Sequence, residues 1–171
     1  AAVAVVARSE LGESGFAAHY VELLEEGLAG GGTLPLNSRV VVDAFLAIGD
    51  LKRARRIADL AYARGGGRLR EAIIASALGD VMLRLGAAHW SDAERWYTRA
   101  IALAQTLGAR STEAVTLLGT AELAAARGER EAALRQLQPA LAICHDLGFN
   151  RAQARGERLL VELRGGAQQL A

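Results

Sequence analysis

Residues 91–110 read SDAERWYTRAIALAQTLGAR, and residues 130–151 read REAALRQLQPALAICHDLGFNR. Each stretch has apolar residues at helical spacing and closes with Leu-Gly, which is typical of a helix followed by a left-handed turn residue. Each also carries two alanines seven residues apart, which therefore lie on one helix face. The pair recurs at intervals of 39 and 40 residues, as Ala54 with Ala61, Ala93 with Ala100, and Ala133 with Ala140. A helical sequence pattern that recurs at a fixed interval predicts stacked helical hairpins that bury one another's apolar faces.

A second set of amphipathic helices alternates with the first. Glycines at 108 and 148 follow two helices of the first set, where a helix C-terminus favours a residue with positive φ. No strand-like alternation of apolar and polar residues interrupts the pattern. The sequence therefore predicts an all-α fold whose unit is helix, turn, helix and glycine turn. The second set is predicted at Ser38–Ile48, Glu71–Leu85, Thr112–Ala126 and Gln153–Leu163.

Composition limits the function classes. The chain has 171 residues, of which 51% are hydrophobic and 23% charged, and its formal net charge is +1. So balanced a charge gives no electrostatic reason to expect nucleic acid or an anionic membrane as partner. The uncharged start Ala1–Ala7 is much shorter than the ~20 apolar residues of a membrane-spanning helix. Because the chain starts without methionine and in mid-pattern, we expect it to be a segment of a longer protein.

The repeats divide the chain unevenly. Residues 1–35 are predicted to hold a degenerate first hairpin, with a helix at Phe16–Leu28, and a glycine-rich connector. Residues 36–171 are predicted to hold repeats at about 36–70, 71–110 and 111–150, followed by a capping helix at 151–164.

The spacing of small residues resembles the tetratricopeptide repeat. One unit reads Leu78-Gly79, Gly86, Ala93 and Ala100, and the next reads Ala121, Gly128, Ala133 and Ala140. The resemblance implies an α-solenoid of antiparallel helical hairpins in a right-handed superhelix. The units are longer than the family's usual length of about 34 residues. In this they look like the C-terminal helical region of large bacterial signalling proteins that join a STAND-type ATPase to a nucleotide cyclase or DNA-binding domain. That likeness implies a cytoplasmic sensor or scaffold arm.

No constellation of residues indicates an enzyme. The glycine runs at 30–32 and 65–67 are not followed by Gly-Lys-Ser/Thr and do not join a strand to a helix, as phosphate loops do. Cys144 and His145 are adjacent in a helix, so their side chains diverge and are poorly placed to share a metal ion. We therefore expect no catalytic residue, no metal and no cofactor, and we expect Cys144 to be a packing residue.

The resemblance implies a concave groove lined by the first helix of each hairpin, where extended peptides bind. In the register of the repeats, the residues that follow Val42, Gly79 and Ala121 are acidic. The residue 40 positions after the last of these is acidic as well. An acidic ladder would favour a basic peptide, whereas the alternative is ordinary solvated charge. The predicted groove residues are Asp43, Asp80, Glu122 and Glu162, with Arg39, Ser76 and Arg84 beside them. Trp90, predicted in a turn, either packs over a helix end or contacts a partner.

Two functions follow from these observations. The first is a non-enzymatic module that binds a peptide or partner domain in the concave groove. The alternative is a structural or autoregulatory arm that mediates self-association, for example as a homodimer through the uncharged Ala1–Ala7 start.

Overall fold

A computed structural model of the chain describes residues 38–165, and all regular structure there is helical. The predicted N-terminal hairpin, including the helix at Phe16–Leu28 and the Ala1–Ala7 segment, lies outside the described residues. The described range contains seven α-helices, which confirms the all-α prediction for this part of the chain. They are α1 (Ser38–Ala47), α2 (Leu51–Ala63), α3 (Arg68–Leu85), α4 (Trp90–Leu107), α5 (Arg110–Ala126), α6 (Arg130–Asp146) and α7 (Asn150–Gly165).

The chain divides into two compact units between Gly65 and Gly66. This boundary lies inside the range 36–171 that the repeat pattern treats as one array. Gly65, Gly66 and Gly67 all have positive φ, of 66°, 122° and 89°. Glycine adopts such angles without the steric cost that a side chain would bring, so the boundary coincides with a run that only glycine forms readily.

The first unit, in its described part, is the hairpin of α1 and α2, which pack against each other. Asp50 caps α2, because its carboxylate accepts a hydrogen bond from the backbone N–H of Arg53 at 3.0 Å. The hairpin buries apolar side chains from both helices, including Val42, Phe45 and Ile57.

The second unit contains α3 to α7, and each helix packs against the next one along the chain. In addition, α3 packs against α5, and α5 packs against α7. The first helix of each hairpin in this unit, namely α3, α5 and the final helix α7, therefore contacts the next first helix along the chain. A short 3-10 turn, Ala87–His89, connects α3 to α4.

The repeated small residues explain how the helices approach one another. All six alanines of the three pairs are buried, with 0–1% exposure. Gly108 ends α4 in the left-handed conformation with φ 63°, and Gly148 has φ 62° after α6. Both predicted glycine turns are thus confirmed, and each redirects the chain into the next first helix.

Apolar side chains from α5, α6 and α7 form one core cluster, which includes Leu118, Leu137 and Leu159. Cys144, the only cysteine of the chain, is fully buried in this cluster. Burial raises the pKa of its thiol, which disfavours the reactive thiolate. These observations agree with the packing role predicted for this residue.

Within residues 38–165, no helix is both long enough and apolar enough to cross a membrane.

Candidate functional site

A groove of about 550 Å³ opens on the side of the second unit where the first helices lie next to one another. Every residue that lines it belongs to α3, α5 or α7. Three of these residues, Arg84, Glu122 and Glu162, were predicted as groove residues from the sequence. The complete lining is Arg84, Glu122, Ala125, Ala126, Arg155, Arg158, Leu159 and Glu162.

Arg155 forms the centre of an ion-pair network in the wall of this groove. Its Nε and Nη2 atoms each donate a hydrogen bond of 2.6 Å to one of the two carboxylate oxygens of Glu122. Its Nη2 also lies 3.6 Å from Oδ1 of Asp80. Burial alone would lower the pKa of Arg155, but the hydrogen bond to Glu122 and the charges of Asp80 and Glu122 raise it above its ordinary value. One guanidinium is therefore shared by carboxylates on two different helices, α3 and α5.

Tyr97 of α4 completes the network from the interior. Its hydroxyl donates a hydrogen bond of 2.8 Å to Oδ1 of Asp80, and the residue is fully buried. Its ring lies against the backbone of both Gly79 and Gly119, where an added Cβ would overlap ring atoms. Asp80 is only 5% exposed, so Tyr97 and Arg155 supply the partners that a buried carboxylate requires.

The pKa of Tyr97 is raised well above its ordinary value of 10.0, first by burial and then by the charge of Asp80 and the hydrogen bond to it. Above pH 10 the unfolded chain releases this proton while the folded chain keeps it. Folding stability should therefore fall by about 1.4 kcal/mol per pH unit, until Tyr97 ionises in the folded state. A titration of tyrosinate absorbance should show a late-ionising phase that Tyr97→Phe removes. A late phase that survives in Tyr97→Phe would contradict this assignment.

The charged residues at the rim of the groove differ from Glu122 and Arg155 in their exposure and in their pairing. Arg84, Arg158 and Glu162 are exposed. None of them makes a hydrogen bond or ion pair within the described residues 38–165. The groove thus combines carboxylates that are already paired internally with exposed charges that are available to another molecule.

The remaining predicted groove residues lie elsewhere. Asp43 and Arg39 belong to α1 in the first unit, where Nε of Arg39 donates to Oδ1 of Asp43 at 2.8 Å. Ser76 is on α3 in the second unit and is only 1% exposed. With Asp80 buried as well, the second unit presents Glu162, and to a lesser extent Glu122, as acidic groove residues. The assignment of these positions to partner binding stays a prediction.

The repeat register explains why the predicted ladder is discontinuous. The register predicted from the sequence treats Ala121 as the residue equivalent to Gly79. In the structure the equivalent residue is Gly119, because it contacts the Tyr97 ring as Gly79 does. Gly156 has the corresponding contact with Leu137, which stands 40 residues after Tyr97. Thr120, rather than Glu122, therefore follows the glycine equivalent to Gly79.

Sequence reasoning missed Arg155 and Arg158. A signal for Arg155 is present in the corrected register, because it precedes Gly156 as Leu78 precedes Gly79 and Leu118 precedes Gly119. Both leucines are buried, with 0% and 1% exposure. An arginine at a position otherwise held by buried leucine indicates a charge with an internal partner. Arg158 lies one turn further along α7 and has no comparable signal.

Trp90 is the first residue of α4, not part of an irregular turn. Its side chain is partly buried and packs against the cluster of Met82, Ala93, Tyr97 and Leu123. The packing alternative thus accounts for the position of Trp90, and its role in a partner interface stays a prediction.

Comparisons with other proteins find no match, either among models of known protein families or among curated protein sequences. Among the described residues, no group of three or more His, Cys, Asp or Glu side chains is placed to hold a metal ion. The functional reading therefore depends on the groove and its charges.

Proposed function

We propose that the second unit is a non-enzymatic protein-interaction module of the tetratricopeptide-like solenoid type, which binds a peptide segment or partner domain in the groove. The observation that carries this proposal is that the groove is lined only by first helices, α3, α5 and α7. Contacts of α5 with both α3 and α7 support a stacked-hairpin arrangement. Its charged rim, together with Ala125 and Ala126 of its lining, offers both polar and apolar contacts to an extended segment. A cytoplasmic location, and a place within a larger signalling protein, belong to the same proposal and rest on the resemblance.

A groove-filling substitution tests the proposal. Random twelve-residue peptides, displayed between constant flanking residues, would be selected on the full chain and then measured against variants. Ala126 is exposed and lines the groove, so Ala126→Trp should obstruct it and weaken binding about tenfold or more. Ala142→Trp is the matched control, because Ala142 is an exposed alanine on α6 outside the groove. Thermal melts would verify that both variants fold. Equal binding by both variants, or a selection that yields no binding peptide, would reject the groove as a binding site.

Self-association is a second candidate, favoured by a separate observation. Five large apolar side chains in the described part of the second unit are exposed: Leu69 at 51%, Leu107 at 41%, Leu147 at 46%, Phe149 at 39% and Val161 at 69%. Leu107 and Leu147 precede equivalent glycine turns, so they recur with the repeat. Light scattering across protein concentration, on the wild type and Val161→Ser, would test whether these side chains join two copies. A monomer at all concentrations would reject the homodimer.

A further inference from the structure

We infer that the occupant of the groove is an acidic segment of a protein partner, whose Asp or Glu carboxylates are bound by Arg84 and Arg158. This inference rests on the proposed function of the groove and adds the chemistry of its ligand. It also reverses the sign expected from the sequence, in which an acidic ladder favoured a basic peptide.

The first step concerns the negative charges near the groove. Both oxygens of Glu122 accept hydrogen bonds from Arg155, and Oδ1 of Asp80 accepts from Tyr97 and also faces Arg155. Both carboxylates are therefore already paired with a cation of this chain. A lysine or arginine of a partner would have to displace Arg155, whose own geometry with Glu122 is bidentate. Asp80 and Glu122 are therefore poor ligands for a basic peptide.

The second step concerns the accessible positive charges. Arg84 lies in the last turn of α3 and Arg158 in the middle of α7, and both line the groove. Neither has a carboxylate partner in the described part of the chain, and both side chains are exposed. A guanidinium group is weakly hydrated and presents paired N–H donors that match the two oxygens of a carboxylate. An acidic side chain in the groove can satisfy these donors without breaking any existing ion pair.

Glu162 adds a constraint on orientation. It lies one turn after Arg158 on α7, lines the same groove and also has no partner within residues 38–165. Its charge opposes an acidic ligand at that end of the groove, so it favours a segment whose carboxylates lie toward Arg84 and Arg158. Removal of this charge should strengthen the binding of acidic peptides, which is the opposite of the effect expected for a basic ligand.

The test uses internally displayed twelve-residue peptides with a central Asp-Glu, Lys-Arg or Asn-Gln pair, so that no free C-terminal carboxylate contributes. Binding to the full chain would be measured for the wild type, Glu162→Gln and the double variant Arg84→Gln/Arg158→Gln. The matched control is Arg68→Gln/Arg164→Gln. It removes the same charge from the same two helices at exposed residues that do not line this groove.

We expect selected Asp-Glu peptides to lose binding about tenfold or more in Arg84→Gln/Arg158→Gln, to keep it in the control, and to gain it in Glu162→Gln. Binding should also weaken with salt. If the chain instead prefers Lys-Arg peptides, and Glu162→Gln abolishes that preference, the inference is overturned while the proposed groove function stays intact. The inference is also overturned if Asp-Glu peptides lose binding in Ala126→Trp but bind Arg84→Gln/Arg158→Gln as well as they bind the wild type. If no peptide responds to Ala126→Trp, both proposals fail.

Discussion

Replacing Gly119 by alanine is expected to lower the free energy of unfolding of the second unit by about 2 kcal/mol. This is a net loss, because alanine is otherwise the better helix former by about 1 kcal/mol. The added Cβ would lie 2.6 Å from Cζ and 2.7 Å from the hydroxyl oxygen of Tyr97. The ring cannot retreat, because its other contacts include Gly79, where a Cβ would also overlap it. Urea unfolding followed by tryptophan fluorescence measures the effect, since both tryptophans of the chain, Trp90 and Trp96, lie in this unit.

A double-mutant cycle identifies the cause of this loss. Leucine occupies the position equivalent to Tyr97 in α6, as Leu137, so Tyr97→Leu should be accommodated at some cost. In that background Gly119→Ala should become neutral or stabilising, because the ring atoms are gone and only the helix preference remains. Gly156→Ala is the milder comparison, since its Cβ would meet the flexible ends of leucine side chains. An unchanged cost of Gly119→Ala in Tyr97→Leu would show that the ring is not responsible.

Much of the helical framework could be predicted from the sequence because backbone rules act locally. The predicted helix Glu71–Leu85 is observed as Arg68–Leu85, and Thr112–Ala126 as Arg110–Ala126. Apolar residues at helical spacing, with Gly86 and Gly128 near the C-termini, indicate these two helices without reference to their neighbours. The predictions are less accurate at N-termini: α5 begins two residues before the predicted Thr112 and α7 three residues before the predicted Gln153. For α5 this agrees with the absence of a side-chain cap at Ala109.

The candidate site could be predicted only in part, because it depends on contacts between helices. Gly119 and Ala121 are both small and both buried, so pattern alone did not distinguish which one is equivalent to Gly79. The contact with the Tyr97 ring decides between them, and that contact needs three helices in place. Similarly, Arg155 and Glu122 are 33 residues apart, and only the packing of α5 against α7 brings them together.

The substitution Arg155→Met is expected to cost about 3 kcal/mol of folding stability in the second unit. Methionine retains the apolar stem but leaves Asp80 and Glu122 facing each other's charge without a cation. The side chains of these two residues are only 7% and 23% exposed, so water cannot fully replace the guanidinium. The loss should be measured by urea unfolding with tryptophan fluorescence, and independently by thiol labelling of Cys144. This cysteine lies in the same unit and becomes reactive when the unit opens.

Two further variants separate the network from a general effect of charge. Arg99→Met removes an arginine whose ion pair with Glu71 is on the surface, and it should change stability by no more than about 1 kcal/mol. The triple variant Asp80→Asn/Glu122→Gln/Arg155→Met removes all three charges and should recover more than half of the loss, because no unpaired carboxylate is left in the interior. Asparagine at position 80 still offers an acceptor to the Tyr97 hydroxyl. If the triple variant is no more stable than Arg155→Met, packing of the arginine stem rather than charge neutralisation accounts for the role of Arg155.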